Sequence, residues 1–186
     1  MSNIVIETIK SRRSIRSYKR EQITDKQLQE ILDAGMHAPS SHNSQSWHFT
    51  VIQNEKVISH ISDKAKEVMI SSEDNKIVQI GKGAGNIFYE APTVIIVSGN
   101  QNSNSGSTIV DCSAAIENML LAAESLGLGS IWIGLVKFFF TLEDEVKKLN
   151  IPEGYVPHYA IAVGHKQDNL EVKEKIIKRD VVNYIK

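Results

Sequence analysis

Three basic side chains and one hydroxyl fall within five consecutive positions near the start of the chain. Residues 12–16, here the arginine segment, read Arg-Arg-Ser-Ile-Arg. Guanidinium groups bind phosphate oxygens in a bidentate way and a serine hydroxyl adds a short donor, so this segment could hold a phosphate monoester. The alternative is a solvated basic patch at the end of a helix, where the helix dipole favours cations.

A second polar segment precedes an apolar stretch that begins at Trp47. Residues 40–46, here the serine loop, read Ser-Ser-His-Asn-Ser-Gln-Ser, and every one of them carries a side chain that can form hydrogen bonds. The amides and hydroxyls suit the edge of a flat heterocycle that is rich in carbonyl groups and ring nitrogens. The alternative is an ordinary Ser/Asn turn between a helix and a strand.

Two weaker segments lie later in the chain. Residues 127–135 contain three glycines, which let a backbone approach a ligand closely, although a helix C-cap followed by a core strand has the same pattern. These glycines close a helix rather than open one, so they are not a dinucleotide-binding fingerprint. The charged run 173–179 is typical of a solvated tail, with Lys178 and Arg179 as possible phosphate partners.

The chain lacks the common signatures of self-sufficient catalysis. It contains no phosphate-loop lysine motif, no Gly-x-Ser-x-Gly elbow and no His-Glu-x-x-His motif. His37 and His42 are five residues apart in a loop-like region, and we expect no metal site there. Cys112 lies near a predicted helix start, where its pKa could be lowered, or it is a small buried residue. If the chain is an enzyme, a cofactor is expected to carry the chemistry.

Periodicity predicts the elements that position these segments. Thr24 and Gln27 form a capping box, Asp111 is expected to cap the strongest helix, and Thr141 is expected to open a short one. The remaining patterns predict helices over 3–12, 57–69 and 111–126, and strands over 47–52, 92–98, 130–135 and 159–164. Because helices and strands interleave without a regular β-α-β order, we predict one α+β domain over 1–186, with a mixed central sheet flanked by helices.

Composition narrows the function classes. The 186 residues include 21 basic and 22 acidic side chains, for a net charge of −1, so we expect no nucleic-acid partner. The longest apolar stretches, 92–97 and 120–123, are too short to span a bilayer, and the N-terminus lacks the apolar core of a signal peptide. A single cysteine fits a reducing compartment, and we expect a soluble, cytoplasmic protein.

Taken together and in order, these segments resemble the nitroreductase family of FMN-dependent oxidoreductases, in its compact branch. The resemblance rests on segments 12–16, 39–49, 86–92 and 127–134, together with the basic pair that precedes 182–185. One departure is Ser46, which stands where the family usually has proline. The resemblance implies an α/β sandwich that forms an interlocked homodimer, with FMN bound at the subunit interface.

The resemblance also assigns site residues. The phosphate and ribityl chain would be held by Arg12, Arg13 and Ser14, joined by Lys178 and Arg179. Arg16 would lie near the pyrimidine edge of the flavin. The ring system would be reached from the other subunit by Pro39, Ser40, Ser41, Asn43 and Gln45, with Ile133, Gly134 and Leu135 close to it.

The implied activity is a ping-pong hydride transfer. NADH or NADPH would reduce the flavin at N5, and a nitro-aromatic, quinone or related small oxidant would reoxidise it. Two alternatives stay open: a dehydrogenase-like, dehalogenase-like or flavin-cleaving enzyme of the same superfamily, and a flavin carrier or sensor without turnover. Segments 71–85 and 136–140 are expected to form the substrate lid, with the phenylalanines at 138–140 either roofing the flavin or packing in the core.

Overall fold

The computed structural model describes residues 3–171 and 175–186. The α-helices are α1 (Ile4–Ser11), α2 (Asp25–Met36), α3 (Glu55–Ile70), α4 (Asn75–Gly83), α5 (Thr108–Ser125) and α6 (Glu143–Lys147). The strands are β1 (Trp47–Ile52), β2 (Thr93–Asn100), β3 (Gly129–Ile133) and β4 (Tyr155–Gly164), and 3-10 turns occupy Ser41–Asn43 and Leu135–Thr141. No helix in this described part of the chain is long and apolar enough to cross a bilayer.

The four strands form one sheet in the order β1-β2-β4-β3, and every neighbouring pair is antiparallel. The prediction of a mixed sheet is therefore wrong for these strands. β2 pairs with β4 although β3 lies between them in the chain, and element order along the sequence does not reveal such a pairing or its direction. Among the described residues, the parallel pairing is an isolated bridge between Ser14 and Ser130.

Helices cover both faces of the sheet, as the α+β sandwich prediction required. The central strand β2 is buried throughout its first seven residues. Its alternate side chains enter two cores: Ile95 packs with residues of α2 and α5, and Ile96 packs with residues of α3 and the 3-10 turn Leu135–Thr141. A strand covered on both faces reads as a continuous apolar run, which is why its position was predictable.

Local sequence patterns predicted some helix ends correctly and others wrongly. The capping box is confirmed, because Thr24 Oγ1 accepts from the Gln27 N–H and the Gln27 side chain accepts from the Thr24 N–H. Gly127 ends α5 with a φ of +74°, as predicted. The prediction that Asp111 caps α5 is wrong: the helix begins at Thr108, with Ser107 as its N-cap.

The region after β3 also differs from prediction. β3 ends at Ile133, and Leu135 already belongs to the following 3-10 turn. Thr141 does not cap α6, because its hydroxyl donates to the Phe138 carbonyl within that turn. The helix α4 was not predicted, since Gly81 and Gly83 lower the helix propensity of a segment that is stabilised by packing on α3.

Candidate functional site

The arginine segment lines a cavity of about 560 Å³. Arg12 and Arg13 are half-buried, whereas Ser14 and Arg16 are exposed. Lys175 from the C-terminal tail also lines this cavity and adds a fourth cation. The structure therefore brings together the four polar residues that the sequence pointed to, and the lining residue from the charged run 173–179 is Lys175 rather than Lys178 or Arg179.

Backbone pairing with β3 holds the arginine segment in place. The Ile15 N–H donates to the Ser130 carbonyl at 3.0 Å, and the Ile15 side chain is buried. A Cβ atom added at Gly129 would lie 2.8 Å from Ile15 Cγ2, closer than packed carbon atoms approach. Gly129 therefore makes room for the arginine segment, a role that the sequence pattern did not reveal.

The three arginines differ in how far they are already engaged. Arg13 Nη1 donates to the carbonyls of Lys10, Ser11 and Arg12, the last turn of α1 and the residue after it. Arg13 Nε is buried and has no hydrogen-bond partner among the described residues. Arg12 lies 3.9 Å from Glu117, and the Arg16 guanidinium lies 5.8 Å from the centre of the Tyr89 ring.

The serine loop has an unusual backbone. His42, Asn43 and Gln45 all adopt positive φ angles, of 53°, 53° and 43°. Non-glycine residues rarely take this conformation, and it persists only when surrounding contacts enforce it. One such contact is the hydrogen bond from the Gln45 N–H to Ser40 Oγ, at 2.9 Å. Pro39, Asn43 and Gln45 are exposed, and Ser40 and Ser41 are half-buried.

A buried carboxylate lies behind the loop. Asp111 is 4% exposed and accepts hydrogen bonds from the Ser41 N–H and from the hydroxyls of Ser44, Ser46 and Ser105. Burial by itself raises the pKa of Asp111, but these four hydrogen bonds more than compensate, so its pKa lies below the ordinary value. Asp111 is thus ionised and fully hydrogen-bonded.

The serine loop does not contribute to the cavity of the arginine segment: in the described residues, none of its members lines that cavity. Lys178 and Arg179 are exposed in the tail 175–186. The first two residues of the charged run, 173 and 174, lie outside the described residues. Ile133 is buried, Leu135 is half-buried, and Gly134 is exposed, with nothing within 4 Å of an added Cβ.

Two other expectations can now be compared with the structure, together with one feature that the sequence did not indicate. Cys112 is fully buried, and burial followed by the nearby Asp111 charge raises its pKa to about 12, so a reactive thiolate is excluded. Phe139 is a core residue, in contact with Phe140. Tyr89, which lies beneath Arg16, has a φ of +58°, a strained conformation that no sequence signal indicated.

Comparison with known proteins agrees with these features. The family model described as "Nitroreductase family" matches residues 9–165 of this chain. A crystal structure of a nitroreductase with bound FMN from Bacteroides fragilis superposes with a TM-score of 0.91, at 34% identity and 100% coverage of both chains. The FMN reductase [NAD(P)H] of Bacillus subtilis is 29% identical over 98% of this chain and 73% of its own length.

A third relative comes from Methanothermobacter thermautotrophicus and carries a provisional name as an NADH dehydrogenase/NAD(P)H nitroreductase. It is 34% identical over 171 residues, which are 89% of this chain and 78% of that protein. The matches extend over the arginine segment, the serine loop and the whole sheet. The chain belongs to the nitroreductase family.

Proposed function

We propose that this protein is an FMN-dependent NAD(P)H oxidoreductase of the nitroreductase type. Its oxidant would be a nitro-aromatic, a quinone or a related small molecule. The observation that carries the proposal is the cavity lined by the arginine segment, which gathers Arg12, Arg13, Ser14 and Arg16. The bound FMN in the Bacteroides fragilis nitroreductase and the names of the relatives support it.

The residues around the cavity fit the phosphate of FMN. Four cations line the cavity (Arg12, Arg13, Arg16 and Lys175) against one acidic lining residue, Glu171, and Ser14 offers an exposed hydroxyl. Arg13 Nε is a buried donor without a partner in the described chain, and such a donor is unfavourable until an acceptor reaches it. A phosphate dianion would satisfy both the unbalanced charge and the unused donor.

The chemistry itself would come from the cofactor. Bound FMN would accept hydride from NADH or NADPH at N5 and pass it to the oxidant after NAD(P)+ has left. The protein's own residues bind and orient. Arg16, exposed and close to the strained Tyr89, would place positive charge at the pyrimidine edge, where it favours the negative charge that accompanies reduction.

The same site implies a homodimer. Helix α1 buries none of its residues, and its apolar side chains Ile4, Val5, Ile6 and Ile9 are 46–72% exposed. The tail carries Ile176 and Ile185 at 98% and 96% exposure. Exposed apolar surface of this kind marks an interface. We propose that a second copy covers it and brings its serine loop to the flavin ring, while Lys178 and Arg179 join the phosphate.

The experiment is an anaerobic reduction of the purified protein. We expect bound FMN to give a yellow protein whose visible absorbance bleaches when NADH or NADPH is added and returns when a quinone is added. Light scattering after size-exclusion chromatography should give the mass of a dimer. Flavin that stays oxidised with either nucleotide would contradict the oxidoreductase and favour a carrier or sensor. Protein that takes up no FMN would contradict the whole proposal.

A further inference from the structure

The carboxylate of Asp111, a residue of α5, accepts hydrogen bonds from two separate parts of the chain: the serine loop and the segment before α5. We propose that Asp111 is the positioning residue that holds the serine loop in the shape that recognises the flavin ring. The inference rests on the proposed function, since it assigns a role within the same site. No short sequence motif could have revealed this role, because Asp111 lies 65 or more residues from its partners in the loop.

The hydrogen bonds leave neither carboxylate oxygen free. Oδ1 accepts from the Ser41 N–H at 3.0 Å. Oδ2 accepts from Ser44 Oγ at 3.1 Å, from Ser46 Oγ at 2.8 Å and from Ser105 Oγ at 2.7 Å. A carboxylate buried in a protein needs such donors to stay ionised, and the donors in turn need the carboxylate. The loop and Asp111 are therefore mutually dependent.

Some residues of the serine loop contact Asp111, and we call them anchors; others are exposed and could contact a ligand. Positions 41, 44 and 46 face Asp111, while Asn43 and Gln45, which lie between them, are exposed. These two exposed residues have positive φ angles, so their placement requires a strained backbone. The anchors supply the contacts that keep the strained residues in place, and the two exposed amides are joined by a hydrogen bond from Gln45 Nε2 to Asn43 Oδ1 at 3.3 Å.

Ser46 is the anchor that departs from the family pattern. The resemblance places proline at this position in most family members, and proline stiffens a turn by fixing φ. Here the turn is fixed by a buried hydrogen bond from Ser46 to Asp111, and the Ser46 carbonyl accepts from the Asn100 N–H at 2.8 Å. A hydrogen bond to a buried charge thus replaces the rigidity of the proline ring.

The test compares Asp111→Asn with wild type and with Glu124→Gln. Asparagine keeps the shape of the side chain but removes its charge and one acceptor. Glu124 is a matched control, because it is a carboxylate on the same helix, paired with Lys166 at 2.9 Å, and it touches no residue of the loop. Free FMN is the probe, and its dissociation constant is measured by fluorescence quenching.

For Asp111→Asn we expect the dissociation constant of FMN to rise about tenfold or more, because four charge-assisted hydrogen bonds are weakened together. The visible absorption band of bound flavin should shift, since the contacts to the ring edge change. Backbone amides in 40–46 should exchange with solvent faster in the FMN-free protein. Glu124→Gln should leave all three measurements unchanged.

The outcomes separate the two proposals. If wild type binds no FMN, the proposed function fails, and amide exchange in 40–46 still decides whether Asp111 holds the loop. Unchanged exchange in Asp111→Asn, or faster exchange with unchanged FMN affinity and spectrum, would overturn the positioning role. If Asp111→Asn does not fold, the double variant Ser44→Ala/Ser46→Ala, which keeps the carboxylate and removes two of its donors, decides in the same way.

Discussion

The arginine segment and the serine loop prepare for a ligand in opposite ways. The arginine segment is fixed on β3 by its backbone pairing and by the buried Ile15 side chain, and Arg16 lines an open cavity with a long, exposed side chain. The serine loop consists of short side chains on a strained backbone, fixed from behind by the buried Asp111. The first region leaves the exposed Arg16 adjustable, whereas the backbone of the second is held by hydrogen bonds within the chain before any ligand arrives.

The difference follows from the interactions that each region would make. Attraction between unlike charges falls slowly with distance, so a guanidinium binds phosphate from many positions. A hydrogen bond to a ring carbonyl weakens steeply when its angle or length is wrong, so its donor must be placed in advance. One cofactor can therefore be recognised by an adjustable and a rigid region at once.

The largest effect is expected from removing charge. We expect Arg12→Ala/Arg179→Ala to purify without colour, because each charge-assisted contact contributes about 1.5–3 kcal/mol, or together about a hundredfold or more in FMN affinity. Affinity should also depend less on salt than in wild type, while Asp111→Asn keeps the wild-type dependence. Arg20→Ala is the control, since Arg20 is exposed and lines a different cavity. A fully yellow double variant would remove these arginines from the phosphate site.

A redox titration of Arg16→Ala sharpens the role of the adjustable region. Loss of one positive charge at the pyrimidine edge should lower the midpoint potential of bound flavin by about 30–60 mV, which corresponds to about 1.5–3 kcal/mol for a two-electron couple. FMN should also be retained less well. A potential equal to that of wild type would show that Arg16 binds without tuning the flavin.

The next prediction tests whether packing, rather than hydrogen bonding, positions the arginine segment. Gly129→Ala places a methyl group 2.8 Å from Ile15 Cγ2, and we expect a loss of about 1–3 kcal/mol in unfolding free energy, measured by urea denaturation. FMN affinity should fall as well, with no change of amide exchange in the serine loop. Gly83→Ala, where an added Cβ meets nothing within 4 Å, should leave stability unchanged or raise it by up to about 1 kcal/mol, because alanine favours the helix. Equal stabilities of the two variants would contradict this packing.

The smallest effect should come from a carboxylate outside both regions. Hydrogen bonds from Lys148 and then His60, each 2.8 Å long, lower the pKa of Glu145 from 4.5 to about 2. A lowered pKa stabilises the fold above about pH 4.5, and this contribution is lost as the pH falls toward 2. Glu145→Gln should flatten the stability profile slightly in this window and leave FMN affinity unchanged. A loss of FMN affinity as large as that of Asp111→Asn would contradict the claim that FMN binding depends on the arginine segment and the serine loop rather than on Glu145.

Sequence reasoning worked where the controlling interactions are local. The strand β1 was predicted at its observed bounds, and the capping box of Thr24 and the glycine stop at Gly127 depend on residues only a few positions apart. The grouping of Arg12, Arg13, Ser14 and Arg16 was predictable for the same reason. Contiguous residues on a short segment share a cavity almost wherever the segment lies.

The rest depends on contacts between distant positions. Asp111 was expected to cap its helix, because a local pattern cannot show that serines 65 and more residues away converge on its carboxylate. The glycines of 127–135 were interpreted either as a close approach to a ligand or as a helix cap before a core strand, and neither interpretation showed that Gly129 makes room for Ile15, far earlier in the chain. The prediction of a mixed sheet was wrong for the same reason, since the path of the connections decides whether neighbouring strands are antiparallel.

The central claim is that the arginine segment of one protomer and the serine loop of its partner grip the same FMN. Mixed dimers test it directly. One chain carries Arg12→Ala/Arg16→Ala and the other Asn43→Ala/Gln45→Ala, so that each homodimer alone has only damaged sites. Random exchange makes half of the dimers mixed, and one site in each mixed dimer then combines two intact halves. We predict that bound FMN, measured by absorbance after mixing, returns to about a quarter of all sites. No recovery in dimers shown to have exchanged would contradict the shared site.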